Sequence, residues 1–360
     1  MEYEVLPSKY WKAQDYLLYA YDVIADMIRQ ADKKKLSSVK FDMKDDEIQS
    51  FKNCEDIYAW LDSNGRHDIA LRSFQGHTFF SLLRDFCYYI YESISCAGRG
   101  KVTVAYSLLR KPIRDNLLYL EWILAYPEEA YQGILFGDIM SCDVSNKKYF
   151  DEDRIKKIID NASQKSCMGG SLNQNGWLYT VRFNSKEKIS LQRIWNQTTH
   201  IVTKNYNYPT KRGNLNFIFA DSKIWDDYWN YYYLIVPHLM AYALEICESL
   251  FLLLVTIDDF QLTLNRLVRF NKFVNLPCNQ TVKQNFPEMI DNLIEILTQN
   301  NITPCFQCEN CDDNIPITAS SISEMIDNYY TICPKCKARF NICKYYTDIE
   351  YEKPDDTENP

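Results

Sequence analysis

The stretch Tyr228–Leu244, YWNYYYLIVPHLMAYAL, runs 17 residues without a formal charge. Whether it crosses a membrane or fills a core decides the fold. A spanning helix needs about 20 predominantly apolar residues. Here Asp226 and Asp227 stand just before the run, and Glu245 and Glu248 interrupt it ahead of the apolar LFLLLV. Asn230, Pro237 and His238 lie inside. We read the stretch as the buried central helix of a bundle, with no membrane partner expected.

Outward from this segment, helix follows helix. Residues 8–35 carry apolar spacing of three and four and a lysine-rich exit that suits a helix C-terminus. Further helices are predicted over 68–96, 101–126 (with Pro112 kinking it or near its start), 150–163, 187–204, 224–256, 259–273 and 280–299. WLYTVRF at 177–183 and LNFIFA at 215–220 read as β-prone runs. Ten glycines in 360 residues, about a third of the usual ~7% share, argue against a many-turned β fold. The expected fold class is mainly α: a helical bundle over 1–300, a small cysteine module over 301–345 and an acidic, disordered tail over 346–360.

Charge supports that division. The formal net charge is −8, yet the tail alone carries six acids and one lysine, leaving 42 acids against 39 bases elsewhere. The tail reads as solvated chain. No phosphate-cradling glycine loop, nucleophile elbow or H-E-x-x-H helix is present, so NTPase, serine hydrolase and zincin chemistries gain no support. The opening MEYEVLPSKYWK lacks the basic-then-apolar order of a secretory signal. A cytoplasmic, reducing setting is expected, in which paired cysteines hold metal rather than disulfides.

Six of the 13 cysteines crowd near the C-terminus: Cys305, Cys308, Cys311, Cys333, Cys336 and Cys343. The pairs Cys308-x2-Cys311 and Cys333-x2-Cys336, 21 residues apart, can place four thiolates tetrahedrally around Zn²⁺. No His or carboxylate is arranged to leave an open coordination position, so the metal is read as structural. The pattern resembles a zinc ribbon over about 303–345. Cys305 creates an overlapping CFQC pair and Cys343 is a further candidate, so both stand as alternates. The seven scattered cysteines read as small buried hydrophobes, and His77 and His238 as core histidines.

One further constellation carries chemistry. At 100° per residue, Arg193 and His200 fall within about 20° on the predicted 187–204 helix, two turns apart, beside Asn196 and opposite an apolar face. A guanidinium can stabilise charge developing on a phosphate, and an imidazole near neutral pKa can act as general base on a ribose 2′-OH. On the preceding long helix, Arg110 and Arg114 are i,i+4 neighbours with Glu121 at a matching angle, a supporting polar wall for the same site. The alternative for both sets is the wet face of an amphipathic helix.

An all-helical bundle with this Arg/His spacing, carried by RIWNQTTHIVTKN and SLLRKPIRDNLLYLEWIL, resembles the HEPN superfamily over about 60–260. That resemblance implies metal-independent RNA cleavage or RNA binding in toxin or phage-defence systems, often as a homodimer, with Arg193 on the scissile phosphate and His200 moving the proton. The sequence departs from the family pattern at Ile194, where a polar residue usually follows the Arg. The competing expectation is a non-catalytic, dimerising scaffold whose ribbon docks a protein partner.

Overall fold

The computed structural model describes residues 3–276 except 214, 219–221 and 258, most of 305–341, and isolated positions between. The chain divides into two compact units, Met1–Thr256 and Ile257–Pro360. The division falls where the central helix has ended.

The first unit is helical throughout. Its elements are α1 (Trp11–Lys34), α2 (Asp45–Lys52), α3 (Ile57–Ser63), α4 (His67–Gly98), α5 (Val102–Arg110), α6 (Leu117–Ala125), α7 (Pro127–Phe136), α8 (Glu152–Gln164), α9 (Gly169–Leu172), α10 (Trp177–Phe183), α11 (Leu191–Thr199) and α12 (Ser222–Leu252). Helices α1, α4, α5 and α6 pack around α12. By length and composition α12 could cross a bilayer, but 78% of its most apolar window is buried within the bundle.

The tyrosine run on α12 shows how so aromatic a helix stays satisfied inside protein. Tyr232 and Ser93 share a hydrogen bond of 2.9 Å, and Ser93 Oγ donates onward to the Ala105 carbonyl. The Tyr233 hydroxyl donates to Gln14 Oε1 at 2.8 Å, and Gln14 Nε2 donates to the Ile94 carbonyl. Each ring buries its apolar body while the hydroxyl finds a partner, which ties α1, α4, α5 and α12 in one network.

Helices α5 and α6 are joined without a break through a π turn, Lys111–Asn116. Pro112 has no N–H to give the preceding turn, and the Leu117 N–H bonds to the Pro112 carbonyl five residues back. The predicted kink is thus a widened turn. It absorbs an extra residue and rotates everything downstream by roughly one residue's worth, about 100°.

Three further expectations are corrected. WLYTVRF forms helix α10, because its apolar face packs against the bundle and tertiary burial overrides β propensity. The 187–204 helix is shorter: Ser190 caps its start through the Gln192 N–H, and it ends at Thr199 with His200 in an extended conformation. The described part of LNFIFA forms turns, not a strand.

The second unit contains α13 (Asp259–Val274) and two short antiparallel hairpins. Strand β1 (Cys305–Gln307) pairs with β2 (Asn314–Pro316), and β3 (Tyr330–Ile332) with β4 (Arg339–Asn341). Of the predicted 280–299 helix only Glu295, Thr298 and Gln299 are described, all helical, and the acidic tail lies outside the described residues.

Candidate functional site

Each hairpin ends in a knuckle of the same design. Cys308 follows β1 and its N–H donates to the Asp313 carbonyl at 2.8 Å; Cys333 follows β3 and its N–H donates to the Ala338 carbonyl at 2.9 Å. The second cysteine of each pair is followed by a left-handed residue, Asp312 (φ 57°) after Cys311 and Lys337 (φ 61°) after Cys336. That conformation turns the chain sharply enough to aim both sulfurs inward.

The four sulfurs of Cys308, Cys311, Cys333 and Cys336 lie within 4.8 Å of one another, with Cys308–Cys336 at 3.5 Å and Cys311–Cys333 at 3.7 Å. These separations are far beyond a disulfide bond. They match the edge of a tetrahedron with metal–sulfur bonds of about 2.3 Å, which is roughly 3.8 Å. The Asn310 side chain and the Ala338 N–H pull the Cys336 thiol down to about 6. Cys311 is pushed up to about 12: the Asp313 N–H lowers it, but burial and the neighbouring sulfurs outweigh that. Four convergent sulfurs are the donor set a soft divalent cation completes. The group can hold a metal ion and is compatible with a zinc ribbon. Cys305 stands in β1 opposite Pro316, outside the cluster; Cys343 lies outside the described residues.

In the bundle, the predicted catalytic residues separate. Asn196 lines a cleft of about 540 Å³ together with Arg114 and Gln192, and its Nδ2 donates to the Tyr208 hydroxyl at 2.6 Å. Arg193, on α11, and His200, just past its end, do not line it; both are exposed. The helix stops one residue short of His200, so the two-turn stacking expected of the pair is not built into α11.

The proposed polar wall also comes apart, and the π turn is the reason. Arg110 is exposed, whereas Glu121 is rotated into the core and fully buried. Its partner is Arg182 of α10, in a fork–fork pair with Nη1–Oε1 at 2.6 Å and Nη2–Oε2 at 2.9 Å. Arg182 Nε donates to the Ile113 carbonyl of the π turn, and the Arg182 carbonyl accepts from Gln192 Nε2 at 2.6 Å. This buried pair fixes α10 and α11 against α6, and so sets the cleft walls. Arg182 escapes sequence reasoning because its partner lies 61 positions away.

His238 is half-buried and its Nδ1 lies 3.1 Å from the Leu234 carbonyl, but His77 is exposed, not a core residue. Cys87, Cys96, Cys142 and Cys247 are buried, and burial pushes Cys87 up to about 12, consistent with inert packing. Cys167 is exposed, Cys54 intermediate, and Cys278 lies outside the described residues.

A second feature was open to inspection in the sequence. Residues 188–220 contain five cations (Lys188, Arg193, Lys204, Lys211 and Arg212) and no acid, in a chain of net charge −8. All five are exposed, as are His200 and Tyr206, the latter 95% exposed. Among the described residues none of the five makes an ion pair. The loop that carries Lys204, Lys211 and Arg212 is held in shape from within: Thr203 N–H donates to Thr210 Oγ1 at 2.7 Å, and Asn216 Nδ2 donates to the His200 carbonyl and to Thr203 Oγ1, both at 2.7 Å. Comparisons with family models, with curated proteins and with solved structures returned no match, so the reading of these sites rests on their own chemistry.

Proposed function

We propose that this protein is an RNA-binding effector whose helical unit grips the phosphate backbone through residues 188–220, and whose cysteine knuckles hold a structural Zn²⁺. The observation that carries the reading is the acid-free run of five exposed cations that make no ion pair among the described residues, in a chain of net charge −8. Lysines and arginines bind phosphates by neutralising charge and releasing counterions. Tyr206, almost wholly exposed, offers a face on which an unpaired base can stack.

The HEPN resemblance enters this proposal through its RNA-binding half. Cleavage asks for a guanidinium and an imidazole converging where water is excluded. The exposed placement of Arg193 and His200 outside the cleft favours binding without cleavage. For the knuckles, Cys308, Cys311, Cys333 and Cys336 would hold the metal, and its binding free energy would supply the fold of two hairpins too small to have a core of their own.

The test is fluorescence anisotropy with a labelled single-stranded RNA, followed by a gel of the recovered strand. Wild type is expected to bind and leave the RNA intact in EDTA, while Lys204→Glu/Lys211→Glu/Arg212→Glu loses binding. Equal binding by the triple variant would refute the proposal. Cleavage in EDTA that disappears in His200→Ala would restore the catalytic reading.

A further inference from the structure

Backbone binding along 188–220 leaves the cleft of about 540 Å³ unexplained. Its lining sorts into three chemistries. Arg114, Lys147 and Lys186 supply positive charge. The two acids in the wall are already committed: Asp151 accepts the Arg154 N–H at the start of α8, and Glu152 holds Lys156 Nζ at 2.6 Å. Lys147 and Lys186 make no ion pair among the described residues. Arg114 spends Nη1 on Asp115 at 2.7 Å, and its Nε is buried with no hydrogen-bond partner among the described residues.

The second chemistry is aromatic. The rings of Tyr179 and Phe183, one α-helical turn apart on α10, stack with centroids 6.0 Å apart and an interplanar angle of 21°, and both line the cleft. The third is amide, from Gln192, Asn196 and Asn205. A ligand using all three is planar and aromatic, carries hydrogen-bonding edges and bears a multiply charged anion. The volume falls inside the range of about 300–1,000 Å³ typical of small-molecule sites. We propose that this cleft binds a nucleotide, its base against the aromatic and amide walls and its phosphate on Arg114, Lys147 and Lys186. The nucleotide is either free or one residue of a bound RNA, since Asn196, Asn205 and Tyr208 belong to both the cleft and the basic segment.

Photocrosslinking of the full chain separates these sources. One arm uses 4-thiouridine monophosphate; the other uses an oligoribonucleotide carrying one 4-thiouridine; adducts are mapped by mass spectrometry. Adducts on Tyr179, Phe183 or Tyr208 are expected, reduced about tenfold or more in Lys147→Glu/Lys186→Glu. Both lysines are exposed, so that variant keeps the fold. Cleft adducts from the monophosphate identify a free nucleotide as ligand, and cleft adducts from the oligonucleotide alone identify a residue of RNA. No cleft adduct in either arm, or adducts unchanged in the double variant, overturns the proposal. RNA crosslinked only to residues outside the cleft would do so while leaving the RNA-binding reading intact. Monophosphate adducts in the cleft without RNA binding would do the reverse.

Discussion

His67 opens α4 with its Nδ1 on Asp62 at 2.7 Å and its Nε2 on Glu128 at 2.8 Å. Two carboxylates accept from the two ring nitrogens, so the charged imidazolium is favoured and the pKa rises above its ordinary value, by the Asp62 bond first and the Glu128 bond second. The contact ties α3, α4 and α7. A raised folded pKa means its contribution is complete below the unfolded value, about 6.5, and is lost as pH rises through the folded one. His67→Asn is therefore expected to lower the melting temperature most near pH 6, with the difference from wild type shrinking towards pH 8.5. A pH-independent difference would contradict the assignment. Glu121 makes the harsher case, because its partner has no access to water. Glu121→Ala leaves Arg182 buried without a counter-charge, and urea unfolding should show a loss of about 3–5 kcal/mol. A loss under about 1 kcal/mol would mean that the pair does not anchor α10.

At the level of elements, the long helices are legible because periodicity reports burial directly: α1, α4, α8 and α12 fall close to their predicted spans. Shorter elements escape. Trp177–Phe183 has the composition of a strand, and only its packing makes it α10. The π turn at Lys111–Asn116 is hidden as well, since Pro112 signals an irregularity without saying whether the helix kinks or widens. That ambiguity is what moved Glu121 from a predicted surface stripe to the core. In the knuckles, overlapping CFQC and CENC pairs leave the first ligand pair open in the sequence, whereas in the fold Cys311, followed by the left-handed Asp312, clusters with Cys308 and Cys305 does not. Purified protein is expected to contain one zinc per chain. Cys308→Ser or Cys336→Ser should release it, whereas Cys305→Ser should retain it; metal analysis near zero for wild type would sink the assignment.

On the scale of the whole molecule, net charge misleads. A chain of −8 looks unsuited to RNA until the acids are located: six of them sit in the last 15 residues, while 188–220 has none. Local charge, presented on a loop fixed by the Thr203–Thr210–Asn216 bonds, decides what the surface meets. The most direct test of the central claim is the salt dependence of RNA affinity, measured for wild type and for Lys204→Gln/Lys211→Gln/Arg212→Gln. Each cation on a single-stranded phosphate contributes about 0.7 to the log–log slope, so the triple variant should flatten it by about 2. A slope identical in the two proteins would show that the segment does not touch the RNA backbone.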